Sequence, residues 1–280
     1  MAGVSTKEIK NRIRSMESTK QITKAMEMVA SSKLRKAQSQ VMNTRPYFEI
    51  LHKTIQQIVA ADREVSSAYL HQRLVKKTAY IVIGGDRGLA GGYNSNVLKL
   101  CTGNMQSDTA VVLPMGRKAV DFFESKQFSI WTKNYREADA VTVGDCFSVA
   151  KQLCKAYLCG QIDEIYVVYT RFVSVLSQTP EFMRLLPLKP EPMENTGSFG
   201  QIVYEPDSNQ VLEAIIPEYV GGLLYGALCE SRASEQAARR TAMDAATHNA
   251  EDMIADLRLK FNQARQSAIT QEITEIIAGS

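Results

Sequence analysis

"ASEQAARRTAMDAATHNAEDMIADLRLKFNQARQSAITQEITEII", residues 233–277, contains neither glycine nor proline, and it sits inside a longer run free of both, Ala227 to Ala278, of 52 residues. Glycine loosens a helix by its conformational freedom and proline breaks one by lacking an N–H, so their joint absence permits an unbroken helix. The opposite end of the chain has the same character, with no glycine or proline in the 42 residues from Val4 to Arg45. At a rise of 1.5 Å per residue the two stretches correspond to helices of about 63 and 78 Å. Both are longer than a domain of this size is wide and are expected to project from it. Each carries an apolar stripe at helical spacing. In the first, Ile9, Ile13 and Met16 form a row that Ile22, Met26 and Val29 continue after a change of phase around Lys20. In the second, Ala246, Ala250, Met253, Leu257, Phe261 and Ala264 recur every three or four residues and lead to Ile269, Ile273, Ile276 and Ile277. A stripe on each of two long helices is buried most simply by pairing them, so an antiparallel coiled coil of the chain's two ends is expected. Thr54 to Asp62 extends the first helix past Pro46, and Val211 to Tyr225 leads into the last, with kinks expected at Pro46 and around Pro217 and Gly221-Gly222.

The charge distribution supports the pairing. Net charge is +3 overall, yet residues 1–59 carry +7 and residues 207–280 carry −5. A basic arm alone suggests nucleic acid; a basic arm with an acidic counterpart on the same chain suggests that the two lie together. The middle reads as alternating strand and helix. Strands are expected at Ala79–Ile83, Ala110–Met115, Phe128–Thr132, Glu164–Phe172 and 182–188, with helices at Ser95–Cys101, Arg117–Lys126 and Gly144–Cys159. That order gives an α/β fold: a Rossmann-like domain with a mainly parallel sheet, followed by a loop at Lys189–Gly200. The expected division is 1–60 for the first helix, 76–195 for the central domain and 207–280 for the last helix.

Chemistry is sparse. "GGDRGLAGGYN", residues 84–94, follows a strand and resembles a phosphate cradle, but it lacks the Gly-Lys-Ser/Thr ending of a Walker loop, and no register of its glycines gives Gly-x-Gly-x-x-Gly. It reads as a strand-to-helix turn, with Asn94 or Ser95 as helix cap, an Asp86–Arg87 ion pair shaping it, and weak anion binding as the alternative. His52, His71 and His248 form no metal or catalytic pattern and read as surface or interface residues; there is no Gly-x-Ser-x-Gly elbow. No enzyme active site, metal or cofactor is expected. The five cysteines, 101, 146, 154, 159 and 229, show no Cys-x-x-Cys and read as reduced buried residues. With 45% hydrophobic and 22% charged residues the chain is a folded one. Its apolar runs are far shorter than the roughly 20 residues of a membrane helix, and with no leader pattern it is expected to stay in the compartment where it is made.

Three blocks, "STKEIKNRIRSMESTKQITKAMEMVASSKLRKAQ" (5–38), "GGDRGLAGGYNSN" (84–96) and the stretch 233–277, closely resemble the gamma subunit family of F-type ATP synthases, in order and over the length of the chain. The resemblance implies the central-stalk rotor that couples ion-driven rotation of a c-ring to ATP synthesis or hydrolysis at alpha/beta sites. Its partners would be the alpha3beta3 hexamer, the epsilon subunit and the c-ring, on the cytoplasmic face of a bacterial membrane, with a processed organelle form as the alternative. It also implies residue roles. Lys24, Met26, Lys33, Arg35 and Lys36 would face the beta subunits, and Arg265 and Gln266 would form a hydrogen-bonded catch with a beta loop. Ile273, Ile276, Ile277 and Ala278 would turn in an apolar bearing; Tyr204 and Glu205 would belong to the foot beside the c-ring and epsilon. Set beside these are plainer readings: Met26 and the isoleucines as coiled-coil core, and Lys33, Arg35 and Lys36 as solvated charge. Ala90 stands where many relatives carry cysteine, and no redox cysteine pair follows the strand ending at Leu188, so thiol regulation is not expected. A Rossmann-type nucleotide-binding protein and a coiled-coil scaffold or RNA-binding arm are the alternative functions.

Overall fold

The computed structural model describes residues 6–61, 67–189 and 207–279. In chain order the elements are α1 (Thr6–Ala61), β1 (Thr78–Ile83), α2 (Tyr93–Asn104), β2 (Ala110–Met115), α3 (Arg117–Ser125), β3 (Ser129–Ile130), a 3-10 turn (Ala138–Ala140), α4 (Val143–Leu158), β4 (Glu164–Phe172), β5 (Gln178–Leu186) and α5 (Ser208–Ala278). The chain separates into two compact units, one of residues up to Ser32 and from Arg239 onward, the other Lys33–Ala238. Helices α1 and α5 contribute to both, and each is assigned without a break through its proline, Pro46 or Pro217. An interior proline costs a helix about 3 kcal/mol. The buried residues that flank each one, Val41, Ile55 and Ile58 in α1 and Leu212, Ile216 and Val220 in α5, offset that penalty.

In the Lys33–Ala238 unit the sheet order is β3-β2-β1-β4-β5. β1 pairs in parallel with both β2 and β4, and β2 with β3, whereas β5 runs antiparallel to β4. β1 is buried along its full length, as a central parallel strand covered on both faces must be. Alternation then divides its side chains. Ala79, Ile81 and Ile83 enter the core that contains α4, the later turns of α1 and the first half of α5, while Tyr80 and Val82 enter the core beneath α2 and α3. Thr142 starts α4 with a capping box, its hydroxyl accepting from Asp145 N–H while the Asp145 carboxylate accepts from Thr142 N–H.

Two strands differ from expectation. β5 begins at Gln178, ahead of the expected 182, because it is an edge strand where Pro180 is tolerated opposite Thr170. β3 is only two residues long; after Trp131 N–H donates to Val112 O, the chain turns away. By length and composition α5 is apolar enough to cross a bilayer. Its apolar first half is instead core, with Leu212, Ile216, Val220, Leu224 and Leu228 all fully buried in the α/β unit.

In the helix-pair unit, α1 and α5 are antiparallel: Glu17 meets Arg258 at 2.9 Å, Lys20 meets Glu251 at 2.8 Å, and Thr23 meets Thr247 at 2.8 Å. The pairing is as expected, but its seam is not. The seam on α1 runs through Ile9, Ile13, Met16, Lys20, Thr23, Glu27 and Ala30, all buried or half-buried and spaced alternately by four and three without a shift of phase, with Glu17, Met26 and Ser31 half-buried at its side. Ile22 and Val29, expected in the apolar row, are 59% and 58% exposed. On α5 the seam runs through Met243, Thr247, Ala250, Ile254, Leu257 and Phe261, so Ile254 is buried and Met253 is exposed. A strict repeat of seven keeps one face toward the partner. The apparent change of phase at Lys20 arises because polar residues occupy the seam there: the Thr23 and Thr247 hydroxyls share one hydrogen bond across the seam at 2.8 Å, and each also lies within bonding reach of a carbonyl of its own helix, Lys20 O at 3.1 Å and Met243 O at 2.8 Å.

Candidate interaction surfaces

The side chains expected to meet partners lie mostly on the outer faces of the two long helices. Lys24 is exposed and its ammonium sits 2.9 Å from Glu27; that hydrogen bond and charge raise its pKa. Met26 is half-buried beside the seam. Arg35 and Lys36 are exposed, whereas exposed Lys33 lies 3.8 Å from Asp139 of the 3-10 turn, so its charge already faces an acid within the chain. On α5, Arg265 and Gln266 are exposed, and Thr270 folds its hydroxyl back onto Gln266 O at 2.9 Å. Every described side chain from Arg265 to Gly279 is exposed. That stretch includes Ile269, Ile273, Ile276 and Ile277, at 48, 52, 69 and 72% exposure, so these isoleucines are not coiled-coil core. Four isoleucines are therefore open to water within nine residues of the helix end. Tyr204 and Glu205, and the loop expected at Lys189–Gly200 beyond its first residue, lie outside the described residues.

The glycine turn is built for packing. Gly84 N–H donates to Met115 O at 2.8 Å, and Gly85 N–H donates to the side-chain oxygen of Asn94 at 2.8 Å. These amides are thus spent inside the protein rather than offered to an anion. Asn94 is not the cap of α2. Its amide also donates to Arg87 O at 3.3 Å, so it staples the turn, while Gly92 is the N-cap and Ser95, the other expected cap, lies inside the helix and donates its hydroxyl to Gly92 O at 3.0 Å. Asp86 does not depend on Arg87 either. Its carboxylate accepts from Arg117 N–H at the start of α3 (3.1 Å), from Ala138 N–H (2.8 Å) and from Asp139 N–H (3.0 Å). A carboxylate at a helix N-terminus that accepts backbone amides needs no countercharge. One glycine is required by close approach: Gly116 has a φ of +95°, and a Cβ there would overlap the backbone carbonyl of Gly84, whereas a Cβ on Gly85 would meet only the carboxyl end of the Glu235 side chain on α5.

A second anchored surface is one that sequence periodicity missed. Over one and a half turns of α5, polar side chains reach the backbone of the α/β domain. Glu230 accepts from Phe172 N–H at 3.3 Å, Ser231 accepts from Thr170 N–H at 3.2 Å, and Ser234 donates to Thr170 O at 3.1 Å. Arg232 donates to Ala138 O and, at 2.8 Å, to Val141 O. The available signal was "ESRASE" at 230–235, where five of six positions are polar in a helix that carries core residues on either side.

The histidines and cysteines are accounted for within the fold. His52 shares a 2.7 Å hydrogen bond with Tyr219, His71 one of 2.9 Å with Ser67 O, and His248 one of 2.9 Å with Asp244 O. Among the described residues no cluster of His, Cys, Asp or Glu is arranged to hold a metal. All five cysteines are free. Cys101, Cys146, Cys154 and Cys229 are buried, and burial pushes the thiols of the first three up to about 12. Cys159 is exposed, contrary to the reading of all five as buried, because it sits just beyond the last turn of α4.

Comparison with known proteins is consistent along the full chain. The family model described as ATP synthase matches residues 5–280. The ATP synthase gamma chain of Alkaliphilus metalliredigens is 43% identical, over 99% of this chain and 98% of the relative. The sodium ion specific ATP synthase gamma chain of Acetobacterium woodii is 40% identical, over 98% and 97%. Among solved structures, a chain of the Euglena gracilis mitochondrial ATP synthase OSCP/F1/c-ring superposes with a TM-score of 0.64 at 19% identity, covering 98% of this chain and 93% of that one. A chain of the rotor of the same synthase gives a TM-score of 0.63 at 17% identity, covering 94% and 98%. Paired terminal helices, a five-stranded α/β unit, a glycine turn spent on packing and full-length similarity converge on one assignment: the chain belongs to the ATP synthase gamma chain family.

Proposed function

We propose that this chain is the central-stalk rotor subunit of a rotary ATP synthase and that it performs no chemistry of its own. The observation that carries the reading is the exposed end of α5, Arg265 to Gly279, with its four open isoleucines, in a chain 43% identical to an ATP synthase gamma chain. An apolar helix end next to a positively charged and amide-bearing turn suits a shaft that rotates inside a ring. Ile273, Ile276, Ile277 and Ala278 would slide against an apolar collar, and Arg265 and Gln266 would make and release charge-assisted hydrogen bonds with successive beta subunits. Lys24, Met26, Arg35 and Lys36, and Lys33 once it exchanges Asp139 for an external acid, would face the beta subunits' moving regions. A shaft that meets three partners in turn cannot bind any of them tightly, which agrees with exposed, mixed polar and apolar faces.

In this reading ion flow turns the foot, which includes Tyr204 and Glu205 beside the c-ring and epsilon, and the helices of residues 1–60 and 207–280 carry the rotation past the domain of residues 76–195. The orientation of the shaft biases each beta subunit among conformations of different nucleotide affinity. The subunit would work as a peripheral part of a membrane complex, on the cytoplasmic face of a bacterial membrane. The test is co-expression with alpha and beta subunits of a related synthase. The expected result is a purified complex that contains this chain and hydrolyses ATP; an alpha/beta assembly that forms repeatedly without it would overturn the proposal.

A further inference from the structure

Within the Lys33–Ala238 unit one stretch of α5 is bonded to the α/β domain by side chains alone, and we infer that Arg232 is the joint that stops this helix from turning against that domain. The inference rests on the rotor reading for its function, but its geometry stands apart from it. Arg232 is half-buried, and its guanidinium reaches two carbonyls of one short segment, Ala138 O and Val141 O. That segment is held from its other side by Asp86, whose two carboxylate oxygens take the amides of Ala138 and Asp139 as well as that of Arg117. Arg117 in turn pairs with Glu137 at the start of the segment. Residues 137–141 are therefore clamped between a cation from α5 on their carbonyls and an anion from the glycine turn on their amides.

Geometry explains why this clamp resists rotation where apolar packing does not. Side chains such as Leu224 and Leu228 bury surface without directional bonds, so a helix can roll on them with little change in area. A planar guanidinium that serves two carbonyls at once is directional; rolling α5 by a fraction of a turn breaks both bonds together. Close to it, Ser231 and Ser234 hold the two backbone groups of Thr170, and the Glu235 carboxyl packs against Gly85. The directional contacts thus cluster on residues 230–235, and Arg232 is the one among them that carries two bonds to a segment held independently. It is a positioning residue: it bonds the backbone of residues 138–141 and acts by transmitting torque from the domain to the helix.

Two measurements separate the joint from the function that rests on it. In the isolated full chain, Arg232→Ala should raise hydrogen exchange at the amides of residues 138–140 at least tenfold while the β1 and β2 amides keep their protection; unchanged exchange at 138–140 overturns the joint. Arg232→Lys, which supplies charge but reaches a single carbonyl, should give an intermediate increase. Asp86→Asn, which loosens the same segment from its other side with Arg232 intact, should reproduce the effect. In the assembled synthase in vesicles, ATP-driven membrane potential, read with a voltage-sensitive dye, should fall at least twofold per ATP hydrolysed for Arg232→Ala, with Arg232→Lys between it and the parent. If exchange rises but the ratio of potential to hydrolysis stays at the parent value, the clamp is structural only and its torque-bearing role is overturned. If the parent chain itself never enters an ATP-hydrolysing complex, the rotor reading fails, and the exchange result still decides whether the joint exists.

Discussion

Arg265 and Gln266 show how little an exposed side chain contributes to the fold that carries it. Both are open to water, so Arg265→Ala should leave the unfolding free energy of the isolated chain within about 0.5 kcal/mol of the parent. In the assembled complex the same change should lower the ATPase rate roughly tenfold, the loss expected for a charge-assisted hydrogen bond of about 1.5 kcal/mol made as the shaft turns. Assembly itself should persist, and an unaltered rate would remove Arg265 from the catch. The buried thiols give a pH signature of opposite logic. Cys101, Cys146 and Cys154 ionise near 9 when unfolded, but in the fold they are pushed up to about 12. Above pH 9 the unfolded chain therefore holds fewer protons than the folded one, and stability falls as pH rises from there toward 12. Urea midpoints should drop between pH 8.5 and 10; a flat profile would contradict the burial. Labelling at pH 8 should reach Cys159 first, the one exposed thiol.

At the level of helices, the seam between α1 and α5 rests on residues that a hydropathy scan discards. Lys20, Thr23 and Glu27 occupy successive seam positions, and the Thr23–Thr247 hydrogen bond is possible only in one register of the two helices. A double-mutant cycle with Thr23→Val and Thr247→Val should give a coupling of about 0.5–1.5 kcal/mol, measured by urea unfolding. Additive single effects would show that the bond sets nothing. The extent of each helix could be read directly from the placement of glycine and proline, because helix continuity is a local property of the backbone. The face could not. Ile22 and Val29 look like core by type and are open to water, whereas Thr23 is buried because its partner hydroxyl lies more than two hundred positions away in the sequence.

For the chain as a rotor subunit, the prediction is negative and sharp: the pure protein should hydrolyse no ATP. The reason is in the turn that first resembles a phosphate cradle. Gly84 and Gly85 N–H groups are committed to Met115 O and Asn94, and the Asp86 carboxylate faces backbone amides rather than a metal. Turnover by the purified chain, surviving removal of contaminating ATPases, would refute this. The same turn shows where sequence reading stopped. The missing lysine excluded a Walker loop, but nothing in "GGDRGLAGGYN" indicates that Gly85 packs against the Glu235 carboxyl, or that Asp86 secures a segment fifty residues downstream.

Helix extent, the alternating strands and the family were legible in the amino-acid order because each rests on local rules: which residues permit a helix, which alternate, and which blocks recur at fixed spacing. The seam register, the early start of β5 at an edge and the Arg232 clamp were not. Each depends on whether a polar group finds its partner across the fold, and a buried hydroxyl, proline or guanidinium is favourable or costly only once that partner is in place.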